Sequence, residues 1–146
     1  MNIAIASDHA GFEYKQQLLA WLNTLDFQVQ DFGTFSGESV DYPDYAYPAA
    51  KSVADGLADY GIIICGTGIG VSITANKVRG IRAANCCSIE MAMLARQHNN
   101  ANVVTVGSRL INIETAKQII QTFLGTKFEG DRHLLRVDKI HSLTGR

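Results

Sequence analysis

Gly61-Ile62-Ile63-Ile64-Cys65 constrains the fold of this chain more than any other segment. It is apolar throughout and rich in β-branched residues, which suits a strand covered on both faces and therefore a parallel sheet. Parallel strands need crossover connections, and the flanking sequence supplies them. Ile3-Ala4-Ile5-Ala6 reads as a second buried strand. Leu18, Leu19, Leu22 and Leu25 follow at the three- and four-residue spacing of a helix.

The alternation continues along the chain. Phe27 to Phe32 reads as a strand and residues 33–44 as a loop. A helix then runs to about Ala54 and stops near Gly56, with Pro48 expected in or beside its first turn, because a later proline breaks the hydrogen-bond ladder. A short strand is expected near Ile81 to Ala84, a helix from Ser88 to about Gln97 and a strand from Val103 to Val106. Ile113, Ala116, Ile120 and Phe123 share one helical face, and a final helix is expected between Arg132 and Ser142. Strand–helix alternation of this kind predicts a three-layer α/β, Rossmann-like fold with a five-stranded parallel sheet, formed by residues 1–146 as one domain. Ligands of such folds bind beyond the carboxyl ends of the strands. The loops to read for chemistry therefore begin at Ser7, Gly33, Cys65, Asn85 and Gly107.

Composition excludes several function classes. The formal net charge is −1 and no long basic run exists, so a nucleic-acid face is not expected. No apolar run approaches the roughly 20 residues of a membrane span. The N-terminus opens on a strand pattern without a secretory signal, so the three cysteines Cys65, Cys86 and Cys87 are expected reduced in the cytoplasm. There is no CxxC pair, and the four histidines lack HExxH spacing, so no metal site is expected.

Gly66-Thr67-Gly68-Ile69-Gly70 follows the strongest strand and precedes a helical stretch reaching Asn76. Alternating glycines let backbone N–H groups approach an anion closely. A dinucleotide fingerprint would instead need GxGxxG after the first strand, where this chain has Ser7-Asp8-His9-Ala10-Gly11-Phe12. Cys65, just before the loop, is either a buried small hydrophobe or a thiol activated by the following helix N-terminus. Asp8 is a helix N-cap, a substrate ligand, or both. His98, after a helix ending at Gln97, is a solvated residue or a general acid. Arg132 and Arg136 are four apart, so both guanidinium groups can face one phosphate or simply water. Cys86-Cys87 reads as a core pair without a role.

Together these segments resemble the type B ribose-5-phosphate isomerases and the related galactose- and allose-phosphate isomerases. The matching segments, in order, are Ser7-Asp8-His9-Ala10-Gly11, Asp41-Tyr42-Pro43-Asp44, Cys65 to Gly70, Ala75-Asn76-Lys77, Gly80-Ile81-Arg82-Ala83, His98-Asn99-Asn100-Ala101-Asn102 and Arg132-His133. The resemblance implies aldose–ketose isomerisation through an enediolate, without cofactor or metal. It implies Cys65 as the base, and Thr67 with the N–H groups of Gly66, Gly68, Ile69 and Gly70 as the cradle for the enediolate oxygen. It implies His98, aided by Asp8, as the acid that opens the sugar ring, and Asn99 as a hydroxyl ligand. His9, Arg109, Arg132 and Arg136 are implied as the phosphate clamp. It further implies a homodimer, or a dimer of dimers, in which Cys65 of one chain meets His98 and Asn99 of its mate.

One branch of the family replaces the cysteine with a glutamate one residue after the glycine loop. Val71 holds that position here, so the cysteine branch fits. Asp131 stands where a glycine is usual. The competing readings are a galactose- or allose-6-phosphate isomerase and a noncatalytic phosphate-binding module.

Overall fold

The computed structural model describes residues 1–145; Arg146, the last residue of the expected domain, lies outside them. Five parallel strands form one sheet: β1 Asn2–Ser7, β2 Gln28–Asp31, β3 Tyr60–Cys65, β4 Ala83–Asn85 and β5 Val103–Gly107. Their order is β2-β1-β3-β5-β4. The helices are α1 Phe12–Asn23, α2 Pro43–Ala54, α3 Ile69–Ala75, α4 Ile89–Asn99, α5 Ile113–Gly125 and α6 Asp131–Thr144. The expected α/β architecture with a five-stranded parallel sheet is present.

The period of two along each strand sorts the core into two layers. Ile3, Ile5, Ile62, Ile64, Val104 and Val106 face one side, where Leu18, Leu22, Ala92, Ile119, Ile120 and Phe123 of α1, α4 and α5 cover them. Ala4, Ala6, Ile63 and Cys65 face the other, under Ala46, Ala49, Ala50 and Val53 of α2 and Val71 and Ala75 of α3. The second layer is dominated by alanine, so α2 lies close to the sheet. Cys65 thus points toward the α2–α3 side.

Several local expectations shift. Leu25 lies beyond the end of α1 and is 38% exposed, so it does not join Leu18 and Leu22 in the core. Pro43 opens α2, which leaves Pro48 inside the helix rather than in its first turn. The rigid ring of Pro43 is pre-organised for the first helical position, so the helix starts five residues earlier. β4 begins at Ala83 rather than Ile81, because Arg82 is engaged elsewhere. The α4 helix runs through His98 and Asn99 to Asn100, whose left-handed conformation caps it. Its last turn therefore contains both residues. Cys86 is buried but Cys87 is exposed, so they are not a core pair; burial, then the neighbouring Cys87, pushes the Cys86 thiol up to about 12.

Candidate active site

In the order β2-β1-β3-β5-β4 the chain leaves β1 toward one edge and returns at β3 on the other side. The carboxyl ends of β1 and β3 therefore splay their loops apart and open a crevice. A cavity of about 260 Å³ lies there, lined by Asp8, His9, Ala10, Tyr42, Cys65, Gly66, Thr67, Gly70 and Arg109. Seven of the residues expected at the site, Asp8, His9, Cys65, Gly66, Thr67, Gly70 and Arg109, thus meet in one place.

Each is held by its own element. Cys65 ends β3, 5% exposed, and its Sγ accepts the Gly68 N–H at 3.0 Å. Gly68 has φ +78°, and a Cβ there would lie 2.2 Å from Asn85 Oδ1, so this turn requires glycine. Thr67 is exposed, and its Oγ1 accepts the Ile69 N–H at 3.3 Å. Gly68 and Ile69 spend their N–H groups within the loop, which leaves those of Gly70 and Val71 in the first turn of α3 without an intrahelical acceptor. The Ile69 side chain points to solvent, 53% exposed.

Asp8 is 8% exposed and caps the short helix His9–Gly11, its Oδ1 accepting the Gly11 N–H at 2.9 Å. Asp8 also lines the cavity, so its capping role does not preclude a second role there. His9 Nδ1 accepts the Val40 N–H at 3.2 Å, which fixes the orientation of the ring. Arg109 follows β5, its backbone N–H bound to the Gly66 carbonyl at 3.1 Å.

His98, Asn99, Arg132 and Arg136 do not line this cavity. They form a second group where the end of α4 meets α6. The His98 ring stacks on His133 with centroids 4.3 Å apart and planes 9° from parallel. Arg132 and Arg136 are exposed on α6. Burial, together with the positive neighbours His98, Arg132 and Arg136, holds His133 below the ordinary imidazole value, against Glu129, which raises it. Asn99 lines a larger cavity of about 640 Å³ with Asn76, Arg82 and His141. Asp131, with φ +44°, adopts a conformation natural to glycine, which accounts for glycine being usual there.

Sequence reasoning missed three residues that lie beside these groups. Tyr42 lines the Cys65 cavity, and its ring lies 2.8 Å from where a Gly70 Cβ would stand; the Asp41–Asp44 segment was the available signal. Arg82 fastens the end of α4, donating to the carbonyls of Asn99 and Asn100 at 2.8–3.0 Å. Glu129 joins His98 and His133 in a group whose donor atoms all lie within 4.8 Å of one another. The i, i+4 spacing of Glu129 and His133 was its only sequence trace.

Comparison with known proteins bears on these two groups. A family model described as Ribose/Galactose Isomerase matches residues 3–140. The chain is 47% identical over 145 residues to ribose-5-phosphate isomerase B of Escherichia coli, covering 99% of this chain and 97% of that protein. The structure of ribose-5-phosphate isomerase B from Clostridium thermocellum superposes with a TM-score of 0.98 at 46% identity, covering 99% of this chain and 98% of that one. That of the Mycoplasma genitalium ribose-5-phosphate isomerase B, with ribulose 5-phosphate bound, gives 0.95 at 44% identity, covering 99% and 97%.

Proposed function

This chain belongs to the ribose/galactose isomerase family, and we propose that it interconverts ribose 5-phosphate and ribulose 5-phosphate through an enediolate. The observation that carries the reading is the Cys65 thiol, held 3.0 Å from the Gly68 N–H in a cavity it shares with Asp8, His9, Thr67 and Arg109. That arrangement suits a base beside an anion cradle.

The furanose must first open. His98 protonates the ring oxygen while the carbon-1 hydroxyl loses its proton, with Asp8 assisting. The Cys65 thiolate then takes the proton from carbon-2, and the electron pair forms the carbon-1–carbon-2 double bond with negative charge on oxygen-1. The Gly66–Gly70 loop and Thr67 stabilise that charge; a preorganised donor of this kind contributes about 3–4 kcal/mol. The oxygen-2 proton passes to oxygen-1, and return of the proton from Cys65 to carbon-1 gives the ketose. His9, Arg109, Arg132 and Arg136 hold the phosphate and Asn99 a hydroxyl, so remote binding energy positions the reacting carbons. Proton transfer of this kind uses no redox cofactor or resident metal.

The two residue groups lie in different parts of one chain, which supports a homodimer, or a dimer of dimers, with sites completed by the mate. The whole chain, residues 1–146, acts as one isomerase domain. A cytoplasmic location suits its three free cysteines, and no helix is long and apolar enough to cross a membrane.

Purified protein assayed in D₂O with ribose 5-phosphate, allose 6-phosphate and galactose 6-phosphate tests the reading. Ribose 5-phosphate should give the highest kcat/KM, with solvent deuterium entering carbon-1 of the ketose. A higher value on either hexose phosphate would reassign the substrate. Absence of deuterium exchange with all three would leave a binding module.

A further inference from the structure

We propose that His98, Glu129 and His133 form a binding site for a transition-metal cation of the zinc class. One ligand atom from each lies within 4.8 Å of the other two. His133 Nε2 is buried without a hydrogen bond, and its side chain is 9% exposed. The nearest carboxylate oxygen, Glu129 Oε2, is 3.6 Å away, beyond hydrogen-bonding reach. A buried imidazole nitrogen left this way is an uncompensated cost that a bound cation would remove.

Two imidazoles and one carboxylate, with a further position open, are a donor set that zinc accepts. The scaffold is fixed by backbone bonds: the Glu129 N–H to the Gln97 carbonyl at 3.1 Å, and the His133 N–H to the Gly130 carbonyl at 2.9 Å. Zinc–ligand bonds of roughly 2.0–2.2 Å need the donors closer together than they stand. His98 is half-buried and the Glu129 side chain 49% exposed, so both can turn toward His133, with His98 leaving its stack. Arg132 and Arg136 oppose a cation here, so the site is weaker than a structural zinc site and loads reversibly.

A cation on His98 removes the lone pair through which that ring exchanges protons. Inhibition by zinc follows, and this consequence rests on the reading of His98 as the ring-opening acid; the binding itself does not.

The test uses untagged, full-length protein. Zinc titration by calorimetry in a non-chelating buffer should find one site per chain, and Glu129→Gln should weaken it at least tenfold. That variant lies outside the isomerase machinery and should keep its basal turnover, with zinc inhibition displaced by the same factor. His133→Gln should weaken binding as well, its fold checked by circular dichroism. Unchanged affinity in Glu129→Gln, no binding to wild type, or loss of the site in Cys65→Ser or Cys87→Ser would overturn the proposal. Binding that depends on Glu129 and His133 but leaves turnover untouched would uphold the site and overturn the acid role of His98.

Discussion

Cys65 is one position on which the core and the proposed chemistry both make a demand. It is the last residue of β3 and packs with Ala6, Val71 and Ala75, so its thiol is fixed by the same contacts that stabilise the sheet. Cys65→Ala removes one small atom group from that layer and should leave the circular dichroism spectrum unchanged. Turnover should fall by roughly 10²-fold or more, the loss expected for a general base; a folded variant with a tenth of wild-type rate would refute the assignment. Gly107, paired with Cys65 across β3 and β5, makes the other demand of this kind. A Cβ there would lie 2.6–2.8 Å from the backbone of Thr67. Backbone cannot rotate aside as a side chain can, so Gly107→Ala should destabilise by about 1–3 kcal/mol and displace the glycine loop. Thermal unfolding together with KM would register both effects.

At the scale of elements, two ion-bearing anchors decide where functional segments lie. Lys15 of α1 is fully buried and bonds Asp31 at the end of β2 at 2.5 and 2.6 Å. Asp31 Oδ1 also accepts the Gly33 N–H at 2.9 Å. The Phe12 and Phe35 rings stand 5.8 and 5.3 Å from the ammonium. Asp31→Ala leaves that charge buried without a carboxylate, and urea unfolding should report a loss of about 3–5 kcal/mol. The second anchor is Arg82, whose fork holds the Asn99 and Asn100 carbonyls at the end of α4. A lysine offers a point charge and no fork. Arg82→Lys should therefore lower kcat by about tenfold through misplacement of His98 and Asn99, with a small change in Tm. Loss of stability in proportion to activity would mark Arg82 as a purely structural residue.

At the scale of the molecule, the Cys65 cavity and the His98–Asn99 group are separate within the chain, which makes the assembly testable. Cys65→Ala and His98→Asn proteins, each inactive, can be unfolded, combined in equal amounts and refolded. If sites are shared between mates, each mixed dimer holds one site with both defects and one with neither. Random pairing makes half the dimers mixed, so activity should return to roughly a quarter of wild type. No recovery would place both residues in one site of one chain, and a monomer by ultracentrifugation would remove shared sites altogether.

Local patterns were sufficient for the architecture. Apolar runs of strand length and three- to four-residue spacing of leucines and isoleucines are short-range signals, and they specified five parallel strands with helices between them. The same reading selected the strand ends at Ser7 and Cys65, where Asp8, His9, Cys65, Gly66 and Thr67 line one cavity, because ligand-side loops follow from connectivity alone. Helix ends and distant pairings depended on tertiary contacts. Pro48 lies inside α2 because Pro43 starts the helix, and His98 lies within α4 because Arg82 and the left-handed Asn100 hold its last turn. Lys15 of α1 is buried because Asp31, sixteen residues away at the end of β2, meets its charge. Tyr42 reaches the Cys65 cavity across a loop with no periodicity. The stack of His98 on His133 beside Glu129 joins segments some thirty residues apart in sequence. Such contacts arise only when helices pack, since no local preference of the chain encodes which distant residue will face an unpaired charge or ring.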